Sequence, residues 1–73
     1  MRLSFAVITV TVNGEPMELP EGTTIEELVQ RHGLARQACA VEVNRRVVPR
    51  RQHAERSVAE GDLIELVTLV GGG

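Results

Sequence analysis

The residues with the clearest chemical use close the sequence. Gly71-Gly72-Gly73 follows directly on Leu63 to Val70, where Ile64 and Leu66 alternate against Glu65 and predict a final β-strand. In most chains a terminal glycine run is only a frayed end. Three features favour a use here. The carboxylate that closes the sequence belongs to Gly73, the glycines emerge from a strand that fixes their origin, and no competing catalytic constellation stands elsewhere. Glycines have no side chains, so they thread a narrow channel and accept extended or positive-φ conformations. Three of them extend roughly 10 Å, enough to carry a carboxylate from a bulky domain into a partner's buried active site. A carboxylate is a poor electrophile. Adenylated by a partner, it becomes a mixed anhydride with a good leaving group, and a sulfur nucleophile such as a protein persulfide displaces AMP. The product is a C-terminal thiocarboxylate, a soft nucleophile, with the folded body as its handle. The expected organisation is one domain over residues 1–70 and a flexible tail over 71–73.

Other candidates are weaker. Cys39 lies between Ala38 and Ala40 and is expected to fill a buried position, since a reactive thiol needs an electropositive neighbour and only Arg36 is near in sequence. His32 and His53 lack the Asp or Cys companions of a metal pair, so no metal site is expected. Ser57 has no motif around it. Val67 and Leu69, on the outward side of the last strand just before the tail, are either packing or, together with Val70, a partner-docking patch. One Cys, two His and no paired-carboxylate site make an enzyme reading poor.

Charge is placed unevenly. Residues 1–44 hold three Arg and six Glu, net −3; residues 45–56 hold five Arg and Glu55, net +4; residues 57–73 hold Glu60, Asp62 and Glu65, net −3. The run from Arg45 to Arg56 is expected to be a solvated loop, or else to steer the chain onto an acidic partner face.

The elements that must position the tail can be read in turn. Val7-Ile8-Thr9-Val10-Thr11-Val12 is β-branched and alternating, a half-buried strand. Asn13-Gly14 is a strong hairpin signal, because both central turn positions need positive φ. Met17-Glu18-Leu19 returns and Pro20 stops it. Thr24 with Glu27 fits a capping box ahead of a helix of about three turns at most, burying Ile25, Leu28 and Val29 and ending at His32-Gly33. After a loop through Cys39, Val41-Glu42-Val43 is a strand and Val47-Val48 runs up to Pro49. Residues 50–60 read as irregular with a single helical turn, and Glu60-Gly61-Asp62 as a tight turn before the last strand. A short helix between a hairpin and later strands lies across one face of a mixed sheet of four to five strands, and a right-handed crossover sets the first and last strands side by side and parallel. That is an α+β fold, the β-grasp or ubiquitin-like arrangement. Its expected core is Ile8, Val10, Val12, Leu19, Ile25, Leu28, Val29, Val41, Val43, Ile64 and Leu66.

Composition narrows the classes. Seventy-three residues make one small domain near the lower limit for independent folding. With 42% apolar and 25% charged residues and net charge −2, the chain is neither a disordered acidic tail nor a membrane span. Phe5 is the sole aromatic residue, so nucleic-acid stacking platforms are missing. A single Cys suits a reducing compartment, most simply the cytoplasm, and the N-terminal stretch does not read as a signal peptide. All eight basic residues are Arg, so the chain offers no lysine amine for isopeptide conjugation.

Val10-Thr11-Val12-Asn13-Gly14-Glu15, Ala40-Val41-Glu42-Val43-Asn44, Val47-Val48-Pro49-Arg50, Glu60-Gly61-Asp62 and Ile64-Glu65-Leu66-Val67 leading to Val70-Gly71-Gly72-Gly73 carry a resemblance over about residues 7–73. The chain resembles the ThiS-type sulfur carriers of thiamine biosynthesis, a ubiquitin-like family. The glycine end alone is shared with molybdopterin-synthase small subunits and ubiquitin-like modifiers, and both remain alternatives. The resemblance implies a carrier protein rather than an enzyme, with no cofactor bound. It implies adenylation of the terminal carboxylate by an E1-like, ThiF-like enzyme that consumes ATP and Mg. It also implies sulfur from a cysteine desulfurase or other persulfide donor, and delivery to a ThiG-like thiazole synthase. Gly73 would carry the acyl-adenylate and then the thiocarboxylate, with Gly71 and Gly72 as the threading segment. No nucleic-acid or membrane partner is implied. The chain departs from the family at His53, where Trp is frequent, and at Arg45-Arg46, where the turn after Asn44 often has Gly. The first six residues look like an extension or a longer first strand.

Overall fold

A computed structural model describes residues 6–33 and 39–68. Five strands form one mixed sheet: β1 (Val7–Val12), β2 (Glu15–Pro20), β3 (Cys39–Val43), β4 (Arg46–Val47) and β5 (Leu63–Thr68), in the order β2-β1-β5-β3-β4. Helix α1 (Ile25–Arg31) packs on the sheet, and Arg50–Gln52 forms a short 3-10 helix. β1 and β5 are parallel neighbours at the centre, as the right-handed crossover requires. The other pairings are antiparallel.

Local chemistry explains each element. Asn13 and Gly14 both hold positive φ, at 50° and 85°, which matches the twist of the β1–β2 strands. β2 is longer than its apolar residues suggest: it runs through both Pro16 and Pro20, whose missing N–H groups are tolerated because β2 is an edge strand. At α1 the Glu27 N–H donates to Thr24 Oγ1 at 3.1 Å, and the Thr24 N–H returns a bond to Glu27 Oε1 at 3.0 Å. The helix is shorter than the expected limit. His32 caps it, its Nδ1–H donating to the Leu28 carbonyl at 3.0 Å, and Gly33 leaves at φ 71°. Cys39 opens β3 instead of closing the preceding loop, and is half-buried against the core. β4 sits one residue earlier than Val47-Val48, because Val48 turns inward and its N–H donates to the Val41 carbonyl at 2.8 Å.

The eleven expected core residues are all buried between sheet and helix. Val48, Val58, Thr23 and His53 join them. Thr23, His53 and Val58 are lone residues in polar stretches, without the periodicity that marks a core position, and Val48 lies in a strand segment too short to show it. At roughly 1.5–3 kcal/mol per fully buried aliphatic side chain, these contacts dominate the folding of so small a chain. No helix among the described residues is long and apolar enough to cross a membrane.

Candidate functional site

Of the expected site residues, Gly71, Gly72, Gly73, Leu69 and Val70 lie outside the described residues. What the structure shows is the strand that leads to them. β5 is the central strand, bound on one side to β1 through Thr11–Leu63 and Val12–Ile64 and on the other to β3 from Val43–Ile64 to Cys39–Thr68. β1 ends at Val12 while β5 continues, so the last turns of β5 outrun their parallel neighbour.

Two asparagines, both in left-handed turn conformations, hold β5, and the first of them compensates for that mismatch. Asn13 N–H donates to the Ile64 carbonyl at 2.9 Å, and its Oδ1 accepts the Leu66 N–H at 2.8 Å, extending the ladder beyond the end of β1. At the other end of β5, Asn44, with φ 53°, accepts the Leu63 N–H on Oδ1 at 3.0 Å and donates from Nδ2 to Asp62 Oδ1 at 3.0 Å. The Glu60-Gly61-Asp62 turn completes the hold on β1. Glu60 Oε1 accepts the Thr9 N–H at 3.1 Å, Gly61 N–H donates to the Thr9 carbonyl at 2.8 Å, and Asp62 Oδ2 accepts the Ala59 N–H at 2.8 Å. Gly61 holds φ 83°, which a side chain would strain. Turn propensity marked Asn13, Asn44 and Asp62 in the sequence. The bonds from the Asn13 and Asn44 side chains to distant backbone were not legible there, because the partners lie 53 and 19 residues away.

Along β5, Ile64 and Leu66 face the core, and Leu63, Glu65 and Val67 face outward. Val67 is 46% exposed and lies opposite the half-buried Ala40. It is the one expected docking residue within the described part, and it is available for contact. Glu65 lies directly opposite Glu42, two like charges on one face.

The remaining candidates are structural. His53 is buried, and because a carbonyl only accepts, its Nε2 must carry the proton that it gives to the Val48 carbonyl at 2.9 Å. It keeps a packing role where a larger aromatic was the family expectation. The turn after Asn44 also keeps its geometry, with Arg45 itself at φ 69°. His32 and His53 are not brought together, and no cluster of three or more metal-ligating side chains occurs among the described residues. Ser57 forms an isolated bridge with Thr24. Among the described residues, Glu27 is the one group whose ionisation is clearly shifted: hydrogen bonds from the Thr24 backbone and hydroxyl hold its carboxyl below the usual carboxylate range. It belongs to the helix cap.

A mixed sheet with a parallel central pair, flanking hairpins and one helix across a face defines the β-grasp class. The chain belongs to the ThiS family, whose model matches residues 10–73. It is similar to the sulfur carrier protein ThiS of Escherichia coli, 31% identical over 64 residues that cover 88% of this chain and 97% of that one. A thiazole synthase of Magnetococcus marinus is 41% identical over 64 residues, and there the chain, 88% covered, spans only 20% of the relative's length. The crystal structure of the thiamine biosynthesis protein ThiS from Geobacter metallireducens superposes with a TM-score of 0.76 at 30% identity, covering 90% of this chain and all of that one.

Proposed function

We propose that this chain is a sulfur carrier for thiazole formation in thiamine biosynthesis, acting as a protein co-substrate and working through the carboxylate of Gly73. The observation that carries the reading is a ThiS family match that runs through the glycine end, at residue 73. It is supported by a central strand, pinned by side-chain bonds at Leu63 and Leu66, that runs to Thr68 immediately before the five residues that lead to that carboxylate. Fully extended, those five residues reach at most roughly 17 Å.

The carboxylate attacks the α-phosphorus of ATP on an E1-like, ThiF-like enzyme with Mg, forming the acyl-adenylate and releasing pyrophosphate. A persulfide, supplied by a cysteine desulfurase or similar donor, displaces AMP through its terminal sulfur. Cleavage of the resulting S–S bond by a thiol leaves the thiocarboxylate on Gly73 and a disulfide on the donor side. Thiazole synthase is the proposed acceptor. In Magnetococcus marinus a segment similar to this chain lies within a protein of that name. The cytoplasm is the proposed compartment.

The test is intact mass after incubation with ATP, Mg, the adenylating enzyme and a sulfur source. Replacement of one terminal oxygen by sulfur is expected, and an unchanged mass overturns the reading. Co-purification with thiazole synthase, rather than with the large subunit of molybdopterin synthase, fixes the pathway.

A further inference from the structure

The segment from Arg45 to Arg56 takes no part in the tail chemistry, yet it is the most strongly charged stretch of the chain, with five Arg against one Glu. Arg45, Arg46, Arg50, Arg51 and Arg56 are all exposed, and none donates a side-chain hydrogen bond to the described residues. They are nevertheless not on a loose loop. Val48, His53 and Val58 are buried beneath them. Backbone bonds tie the same stretch to α1 and β3: Ile25 N–H to the Arg56 carbonyl at 2.9 Å, Glu26 N–H to the His53 carbonyl at 2.9 Å and Val48 N–H to the Val41 carbonyl at 2.8 Å. The arginines are therefore presented from a fixed backbone, Arg46 on the edge strand β4, Arg50 and Arg51 on the 3-10 helix that follows it and Arg56 beside the start of α1, and less ordering is needed when they bind.

Two relations indicate what they bind. The segment opens at the Asn44–Arg45 turn, beside Leu63 at the start of β5, whereas the chain leaves β5 at Thr68. A protein could thus hold this edge while the tail enters its active site. Charge also differs between the two edges of the sheet, since the opposite edge strand β2 and its flank carry exposed Glu15, Glu18 and Glu21 and no arginine, although Glu42 and Glu65 lie on the two strands between β1 and β4. A chain of net charge −2 is repelled as a whole by polyanions, but is turned basic edge first toward an acidic patch.

We propose that the β4 edge with Arg46, Arg50 and Arg51 is a rigid docking edge for an acidic protein surface, carried by an enzyme that receives the tail. This rests on the carrier reading only for the choice of enzyme. Guanidinium groups suit the role, because their planar fork takes carboxylates in bidentate fashion.

The test compares three full-length proteins: the natural chain, the R46E/R50E/R51E set and the R46K/R50K/R51K set. Their association rates with the adenylating enzyme and with the thiazole synthase of the same organism are measured at low and high salt. The natural chain is expected to associate with at least one enzyme about tenfold faster at low salt. The glutamate set loses that advantage and the lysine set keeps most of it. Thermal melts check that all three are folded. Unchanged rates for the glutamate set with both enzymes overturn the proposal. So does a salt-sensitive dimer of the natural chain, or its binding to a DNA oligonucleotide, if that is what the glutamate set loses while its enzyme rates stay the same. Intact mass at saturating carrier separates the two claims: if no protein gains sulfur, the carrier reading falls, while docking is decided by the rates alone.

Discussion

Asn13 Oδ1 accepts the backbone N–H of Leu66 at 2.8 Å, joining the first hairpin turn to the last described strand across 53 residues of sequence. Because β1 has already ended at Val12, that bond replaces the one a longer parallel strand would have made. It holds β5 straight just before the chain reaches its glycine end. Asn13→Ala removes the acceptor and leaves alanine at φ 50°, and is expected to cost about 2 kcal/mol of stability. Asn13→Gly relieves the backbone but not the lost bond, at about 1 kcal/mol. Urea unfolding separates the two, and hydrogen exchange at the Leu66 amide should quicken in both. Equal stability for natural and glycine proteins would show that the bond is worth no more than the backbone strain that glycine relieves.

The same reasoning at the second asparagine turn gives the opposite sign. Arg45 occupies φ 69°, a region that a side chain enters at a cost of roughly 1–2 kcal/mol. Arg45→Gly should raise stability by about 0.5–1 kcal/mol, after the greater freedom of glycine in the unfolded chain is subtracted. A domain of this size would melt a few degrees higher, at about 4–8 °C per kcal/mol. An unchanged or lower melting temperature would mean that Arg45 makes a compensating contact.

Much of this fold was legible because its signals are local. Alternation marked β1, β3 and β5, Asn13-Gly14 marked the hairpin, and Thr24 with Glu27 marked the helix start through bonds that the structure contains. What was not legible depends on residues distant in sequence. His53 lies in the arginine-rich run that reads as solvated, Val48 in a two-residue strand segment and Val58 in an irregular polar stretch, and their burial follows only from how residues 48–58 fold back over α1 and β3. For the candidate site the division is similar. The glycine end was plain in the sequence, and so was the strand before it, but the asparagine bonds that pin the strand were hidden behind turn propensity.

His53 tests that hidden part. Its ring is buried and its Nε2–H satisfies the Val48 carbonyl at 2.9 Å. His53→Ala leaves both a cavity and an unpaired carbonyl, and is expected to cost about 2–3 kcal/mol. His53→Phe fills the cavity with a somewhat larger ring and loses the hydrogen bond, at about 1–2 kcal/mol. Denaturant melts rank them. If phenylalanine is as damaging as alanine, the hydrogen bond carries the effect and the packing little.

Glu27 sets one part of the response to acid. Its carboxyl is held below the usual carboxylate range by the Thr24 backbone and hydroxyl in the folded state, and is released to the ordinary value on unfolding. A depressed folded value adds stability that is fully present above the unfolded carboxylate range and fades as pH falls through the folded one. Glu27→Gln should therefore melt below the natural chain near neutral pH, and the gap should narrow on acidification. A gap that stays constant from neutral pH into strong acid would show that the carboxylate's charge plays no part in the cap.

Val67 and the terminal carboxylate separate presentation of the tail from its chemistry. Val67 is exposed, so Val67→Asp should change stability by no more than about 0.5 kcal/mol. On the carrier reading it places a charge beside Ala40 on the outward face that leads to the tail, and should slow sulfur loading at limiting carrier while leaving the final extent unchanged. One residue appended after Gly73 should also leave the melt unchanged. That addition moves the carboxylate off glycine, so loading should be abolished at any concentration. Time-resolved intact mass distinguishes the two. Normal loading of the extended chain would place the reactive group elsewhere, and normal loading of Val67→Asp at every concentration would remove Val67 from the docking surface.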